Sequence, residues 1–403
     1  MKHILLLVPF ILTAVSAPLM AAAQKTAPAK HTPPVLSPVP IPPFWKVRLA
    51  DIEETVRNVK VGKVSVIARS PGGHPVYAVA YGTPNLSPAT TNFSGALGAG
   101  HIPSFKDEAA GPQSIILVAG SHGSEPEGTA ALVNLIQMVE TGKDYCGQTD
   151  ERLLELFKKY RVVIIPCHNP DGRHRSPDSL NGADIQAARA FMQGTWKDGT
   201  PIGWPACKRY QPLDPKAVAS LGGYPNDDGY NLMHDAAIGD IRTDEVRGLL
   251  KLILDERADL VVHFHSHQTD TEILPPSMGM LDTQRQQILA YRKRLYEFLS
   301  ARNLPVTPIS TPDGSRSWVW SLNLATLTSL GTGALSPVIE QSDGAGKEKP
   351  DDFDEKIRTT YASIEMFLQY GQDEPFAPRE QQGLKFFDSS VPLIGHGKFK
   401  SKD

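Results

Sequence analysis

Three continuous apolar runs mark the middle of the chain: SIILVAG (114–120), RVVIIPC (161–167) and DLVVHF (259–264). Runs of this length, bounded by polar residues, predict strands buried on both faces of a sheet. Between and around them, apolar residues recur at helical spacing, which predicts helices over 126–141, 150–160, 243–257, 282–302 and 352–371. Earlier in the chain, DIEETVRNVKVG (51–62) predicts a first helix, and SPGGHPVYAVAYG (70–82) a turn followed by an alternating strand. SPVIEQ (336–341) predicts one more short strand. Residues 83–112 read as a surface loop, and a long irregular stretch runs from Asn169 to Asp240. Apolar strands separated by helices predict an α/β fold with a mostly parallel or mixed sheet.

The ends of the chain follow different rules. Lys2, the apolar core ILLLVPFILTAV, and Ala21 and Ala23 predict a cleaved export signal over residues 1–23. No cysteine follows that core, so a lipoprotein anchor is not expected, and no later segment is long and apolar enough to span a bilayer. Residues 24–44 are rich in Pro and Ala and predict an extended linker. The folded domain is expected over 45–375, with 376–403 as a tail. Export points to a periplasmic or secreted protein with no membrane anchor after cleavage. With 41 Lys and Arg against 44 Asp and Glu, the net charge is −3, which argues against nucleic acid as a partner. Three cysteines without a Cys-x-x-Cys spacing exclude a disulfide framework and a cysteine zinc site.

Candidate chemistry gathers at strand ends. His122 and Glu125 lie in the loop that leaves the first buried run, three residues apart, and can converge on one divalent cation. The carboxyl end of a strand is where an open α/β sheet places its ligands. An open catalytic zinc site needs a third ligand. The cluster VVHFHSHQTD offers His263, His265 and His267, of which one or two are expected to reach the ion if the strand stops near Ser266. His263 is expected as a buried partner and His267 as a residue lining the site. Glu340, at the end of the late strand, is the candidate base.

These residues carry a resemblance. The chain is similar to the zinc carboxypeptidases over roughly residues 45–370, with five features in order: the turn and strand GGHPVYAVAYG, the loop HGSEPEG, the turn Asn169-Pro170-Asp171-Gly172, a His followed by Ser in HFHSH, and a late Glu. The resemblance implies a single α/β domain with a central mixed, mostly eight-stranded sheet flanked by helices. It implies one Zn2+ per chain held by His122, Glu125 and His265, with Glu340 as general base. It also implies a cation for the oxyanion, for which Arg209 is the candidate, with Arg173 and Arg175 as alternatives. Where the family grips a free carboxylate with an Asn-Arg pair, GYNLMHD has Met233 and His234, so His234 is left as a weaker cation or hydrogen-bond donor, with Asp235 as its orienting partner. In the segment GSRSW (314–318), which resembles the lining of the side-chain pocket, Arg316 is expected to hold an acidic group. Lys208 reads as a solvated charge, and Asn231 as structural.

The expected activity is hydrolysis of an amide near a peptide terminus, on nutrient, acidic or cell-wall peptides. The alternatives are an N-acyl amino acid deacylase on the same fold, and a binding protein with a decayed site. A metal-dependent amidohydrolase barrel is disfavoured, because its His-x-His pair would follow the first strand rather than several strand-helix units.

Overall fold

The structure, a computed structural model, describes residues 39–376 apart from 86–88, 90, 100, 107–110, 209–211, 278 and 310–321. The export signal, most of the linker, the tail beyond Phe376, Arg209 and Arg316 therefore lie outside the described residues.

The chain enters through α1 (Leu49–Arg57) and a hairpin of β1 (Lys63–Arg69) and β2 (Pro75–Tyr81). A short α2 (Phe93–Gly98) precedes β3 (Ser114–Ala119), α3 (Pro126–Thr141), α4 (Glu151–Phe157) and β4 (Arg161–Ile165). The stretch expected to be irregular holds α5 (Pro170–Arg175), α6 (Ile185–Gln193) and a two-stranded ribbon of β5 (Thr195–Trp196) and β6 (Val218–Ser220). The chain then runs through α7 (Asp244–Asp255), β7 (Leu260–His267), β8 (Glu272–Ile273), α8 (Asp282–Ser300), α9 (Leu324–Thr332), β9 (Val338–Ser342) and α10 (Phe353–Asp373).

One mixed sheet of seven strands organises the domain, in the order β1-β2-β4-β3-β7-β9-β8. The expected α/β architecture is present, with seven strands in the main sheet of the described residues. The central ladders β4–β3, β3–β7 and β7–β9 are parallel, and the outer ones are antiparallel. The apolar runs explain the centre. Every residue of β3 and β4 is buried, because helices cover both faces of a parallel sheet. Each large aliphatic side chain buried there contributes about 1.5–3 kcal/mol.

The apolar pattern does not predict β1, since the strand lies at the sheet edge with Val64 and Val66 exposed and lacks a buried run. The strand β7 ends at His267, one residue past Ser266, and its parallel ladder with β9 runs through Ser266–Gln341 and His267–Ser342.

After β3 the chain moves through α3 and α4 to β4 on one side; the other neighbour of β3 is β7. Strand order reverses there, so the carboxyl ends of β3 and β7 open on a switch point, the ordinary place for a ligand in such a sheet.

Candidate metal centre

The backbone delivers the first two residues. Gly120, at the end of β3, takes φ +64°, a left-handed conformation open to glycine, and turns the chain out of the sheet. Gly123 must lack a side chain, because a Cβ there would meet Arg173 N at 2.0 Å. The loop therefore lies flat on the first turn of α5 and holds His122 and Glu125 over the strand ends. Pro126 then starts α3, where its fixed φ suits the first helical position.

From the other strand, His265 comes to meet them. Its register partner in β3 is one residue past Ala119, which pairs with Phe264. Donor atoms of His122, Glu125 and His265 lie within 4.8 Å of one another, and all three side chains are buried. His122 Nδ1 is 2.9 Å from Glu125 Oε1, and His265 Nδ1 is 2.6 Å from Glu125 Oε2. Burial favours the neutral form of Glu125, but the two imidazoles outweigh it and hold the carboxyl well below its usual range. Burial lowers the His122 pKa, against the pull of Glu125.

Asn231 decides which nitrogen of His122 faces the centre. Its Nδ2 donates to the Cys207 carbonyl at 2.9 Å and its Oδ1 accepts from Met233 N at 3.2 Å, which fixes the amide orientation. That same Oδ1 lies 3.2 Å from His122 Nε2, so Nε2 carries the proton and the Nδ1 lone pair points at Glu125. A ring nitrogen and a carboxylate oxygen 2.9 Å apart are held together by a proton or by a shared cation, and both can turn lone pairs to a metal ion. The remaining nitrogen of His265, Nε2, has no partner among the described residues. Two imidazoles and one carboxylate with an open position are a catalytic zinc donor set, so the residues fit the ion that the sequence implies.

Around this centre the other candidates divide. Glu340 pairs directly with His265 in the parallel ladder, which sets the two side chains next to each other on one face. Burial, then the charge of Glu125, push its carboxyl well above the usual range, while Lys208 pulls it down. His263 is fully buried on the same face, deeper along β7, with neither ring nitrogen partnered among the described residues. His267, although on that face, turns to Thr269 at 3.1 Å and towards Glu272 at 3.8 Å. His234 is half-buried and uncharged at neutral pH, since burial, then Lys208, lower its pKa to about 3. Asp235 is not its partner. It accepts from the backbone of Arg242 and Thr243 and from the Thr243 hydroxyl, and so ties down the loop before α7. Arg173 donates through Nη2 to the carbonyls of Ser176 and Pro177, with Nη1 unpartnered among the described residues, and Arg175 pairs with Asp227 and donates to the carbonyls of Gly222 and Pro225.

Three contributors were not expected from the sequence. Tyr224 stacks on His122 with ring centroids 4.0 Å apart. Asn231 orients His122 across 109 residues of chain. Lys208 is half-buried rather than solvated, and sits 4.1 Å over the Trp204 ring, within the field of Glu340 and Glu125. The Asn231 bond to Cys207 ties the Lys208 loop to His122. The local signal for Lys208, a Trp four residues before it, is common in surface loops and carries little weight alone.

Residues 53–198 match the zinc carboxypeptidase family. No curated protein matches the chain by sequence. Among solved structures, a putative carboxypeptidase from Burkholderia mallei ATCC 23344 is similar in fold, with TM-score 0.51 and 13% identity over 80% of this chain and 67% of that one. A metallo-carboxypeptidase from Burkholderia cenocepacia is similar over 80% of this chain and 68% of its own, with TM-score 0.49 and 14% identity. A carboxypeptidase A from Helicoverpa armigera gives TM-score 0.45 and 13% identity over 85% and 74%.

Proposed function

We propose that this chain, which matches the zinc carboxypeptidase family over residues 53–198, is a metallocarboxypeptidase-like zinc hydrolase, an exported peptidase or amidase that cleaves an amide near a peptide terminus. The observation that carries this is the meeting of His122, Glu125 and His265 with Glu340 beside His265 in the next strand.

Zinc held by those three side chains supplies a Lewis acid and lowers the pKa of water towards neutrality. Glu340 takes a proton from the attacking water and later gives it to the leaving amine. Burial, then the charge of Glu125, favour the protonated form of Glu340, so neutralising Glu125 would favour the ionised base. Lys208, half-buried within the field of Glu340 and Glu125, is a described cation placed to stabilise an oxyanion or hold a substrate carboxylate. Arg209, the next residue along, belongs to the same proposal, and Arg316 remains the proposed contact for an acidic side chain. The neutral His234 serves as a hydrogen-bond donor to substrate, and His267 lines the approach.

A second reading, removal of an acyl group from an N-acyl amino acid, is favoured by one observation. Met233 is buried and His234 uncharged where the family has its Asn-Arg pair, so a bidentate grip on a free carboxylate is missing there.

One preparation tests both. Full-length protein and Glu340→Gln are assayed for zinc and for turnover of peptides with free or amidated C-termini and of N-acyl amino acids, and the intact mass reads cleavage after Ala23. The expected result is equal zinc, a loss of about 10²–10⁴ in turnover for the variant, and activity on peptides with free termini. Equal turnover removes Glu340 from the mechanism, and activity on N-acyl amino acids alone selects the second reading.

A further inference from the structure

Beneath the metal centre lies a buried set of charges that the mechanism does not use. Glu127, two residues after Glu125 in the first turn of α3, is fully buried. Ser266 stands between the two carboxylates. Its backbone N–H donates to Glu125 Oε2 at 3.3 Å, and its hydroxyl donates to Glu127 Oε2 at 2.6 Å. The charge of Glu127 is met by Lys356 at 3.5 Å, from the first turn of α10 and 229 residues away. Lys356 is itself buried, donates to the Ser342 carbonyl at the end of β9, and pairs with Asp351 at 3.2 Å. The Ser342 hydroxyl donates to Asp351 at 2.5 Å, which closes the circuit on the strand that carries Glu340.

Ionised groups this deep are costly unless every partner is in place, and removing one partner is strongly destabilising. A hydrophobic trio would pack α10 without that risk. The charges do have one specific consequence at the centre. The Ser266 N–H touches the same Glu125 oxygen that His265 approaches, and Glu127 holds Ser266 where it can do so. Groups that hydrogen-bond a ligating carboxylate fix its orientation and commonly contribute 10–100-fold in metal affinity.

We propose that Ser266, Glu127 and Lys356 form a positioning device that orients the Glu125 carboxylate for the metal ion and makes ion binding depend on the docking of α10. The proposal rests on Glu125 being a metal ligand. Its members are positioning residues, since none touches the reacting atoms.

The test is zinc affinity of the apo protein, by competition with a chromophoric chelator, at a temperature where near-UV circular dichroism shows each variant folded. Ser266→Ala and Lys356→Met are each expected to weaken zinc about 10–100-fold. The double variant Glu127→Gln with Lys356→Met removes the Glu127 charge together with its cation, leaves Asp351 its partner Lys347, and keeps an acceptor for Ser266, so it is expected to bind more tightly than Lys356→Met alone. A purely structural role predicts lower melting temperatures with zinc affinity within about threefold of wild type, and that result overturns the proposal. If Lys356→Met does not fold, Ser266→Ala, which deletes one hydroxyl, decides the matter. Wild type that binds no zinc is a separate result: it removes the metal assignment itself, and the proposal with it.

Discussion

The two ends of the central sheet treat buried carboxylates in opposite ways. At the amino ends of the strands, Asp259 begins β7 buried, accepts from Ser114 N at 2.7 Å, and pairs with the ammonium of Lys106, which also donates to the Arg257 carbonyl at 3.0 Å. Beside it, Arg161 grips Glu256 with two bonds of 2.8 Å. At the carboxyl ends, Glu125 meets only imidazoles and one backbone N–H, and Glu340 Oε2 has no partner among the described residues. Both ends bury charge. One end pairs its carboxylates with Lys and Arg, and the other, among the described residues, offers Glu125 imidazoles and a backbone N–H, a donor set that would suit an added cation. Buried carboxylates without a Lys or Arg partner in contact are therefore the physical mark of the candidate site.

Three substitutions probe that contrast. The largest effect is expected where the match is complete. Lys106→Met leaves Asp259 buried without its cation, so denaturant unfolding should show a loss of about 3–5 kcal/mol while zinc content stays at one per chain. A variant that loses zinc as well would mean that the two ends are not independent. Lys208→Met should do the reverse, with unfolding free energy little changed and kcat lower by an amount equivalent to about 3–4 kcal/mol of barrier. Unchanged kcat would return Lys208 to the role of a solvated charge.

The smallest effect concerns Glu245, in the first turn of α7 behind the site, which burial pushes up to about 7. A carboxyl with a raised folded pKa binds more protons in the folded state than in the unfolded one. Stability is then highest below the unfolded pKa and falls as pH rises towards 7. Glu245→Gln should flatten the unfolding free energy between about pH 4.5 and 7 by roughly 1–3 kcal/mol. An identical pH profile in the variant would mean that Glu245 is ionised at little cost.

Much of this was legible along the chain. Runs such as SIILVA and RVVII declare themselves because a strand buried on both faces has no polar position to interrupt it. The loop HGSEPEG and the pair His265 and Glu340 stood at strand ends, where an α/β sheet exposes its functional groups. The edge strand β1 and the helices α5, α6 and α9 were not legible. The first is half-solvated, and the others are short and depend on packing for their stability.

The sequence by itself determined the buried central strands and the longer helices, and which residue types stand at the strand ends, because periodicity and spacing are local properties of a chain. Only the tertiary structure decided the rest. That Asn231 sets the tautomer of His122, that Lys208 is half-buried within the field of Glu340 and Glu125, and that Lys356 reaches Glu127 all depend on distant segments meeting. Charge and hydrogen bonding act over a few ångströms of space, whatever the separation along the chain.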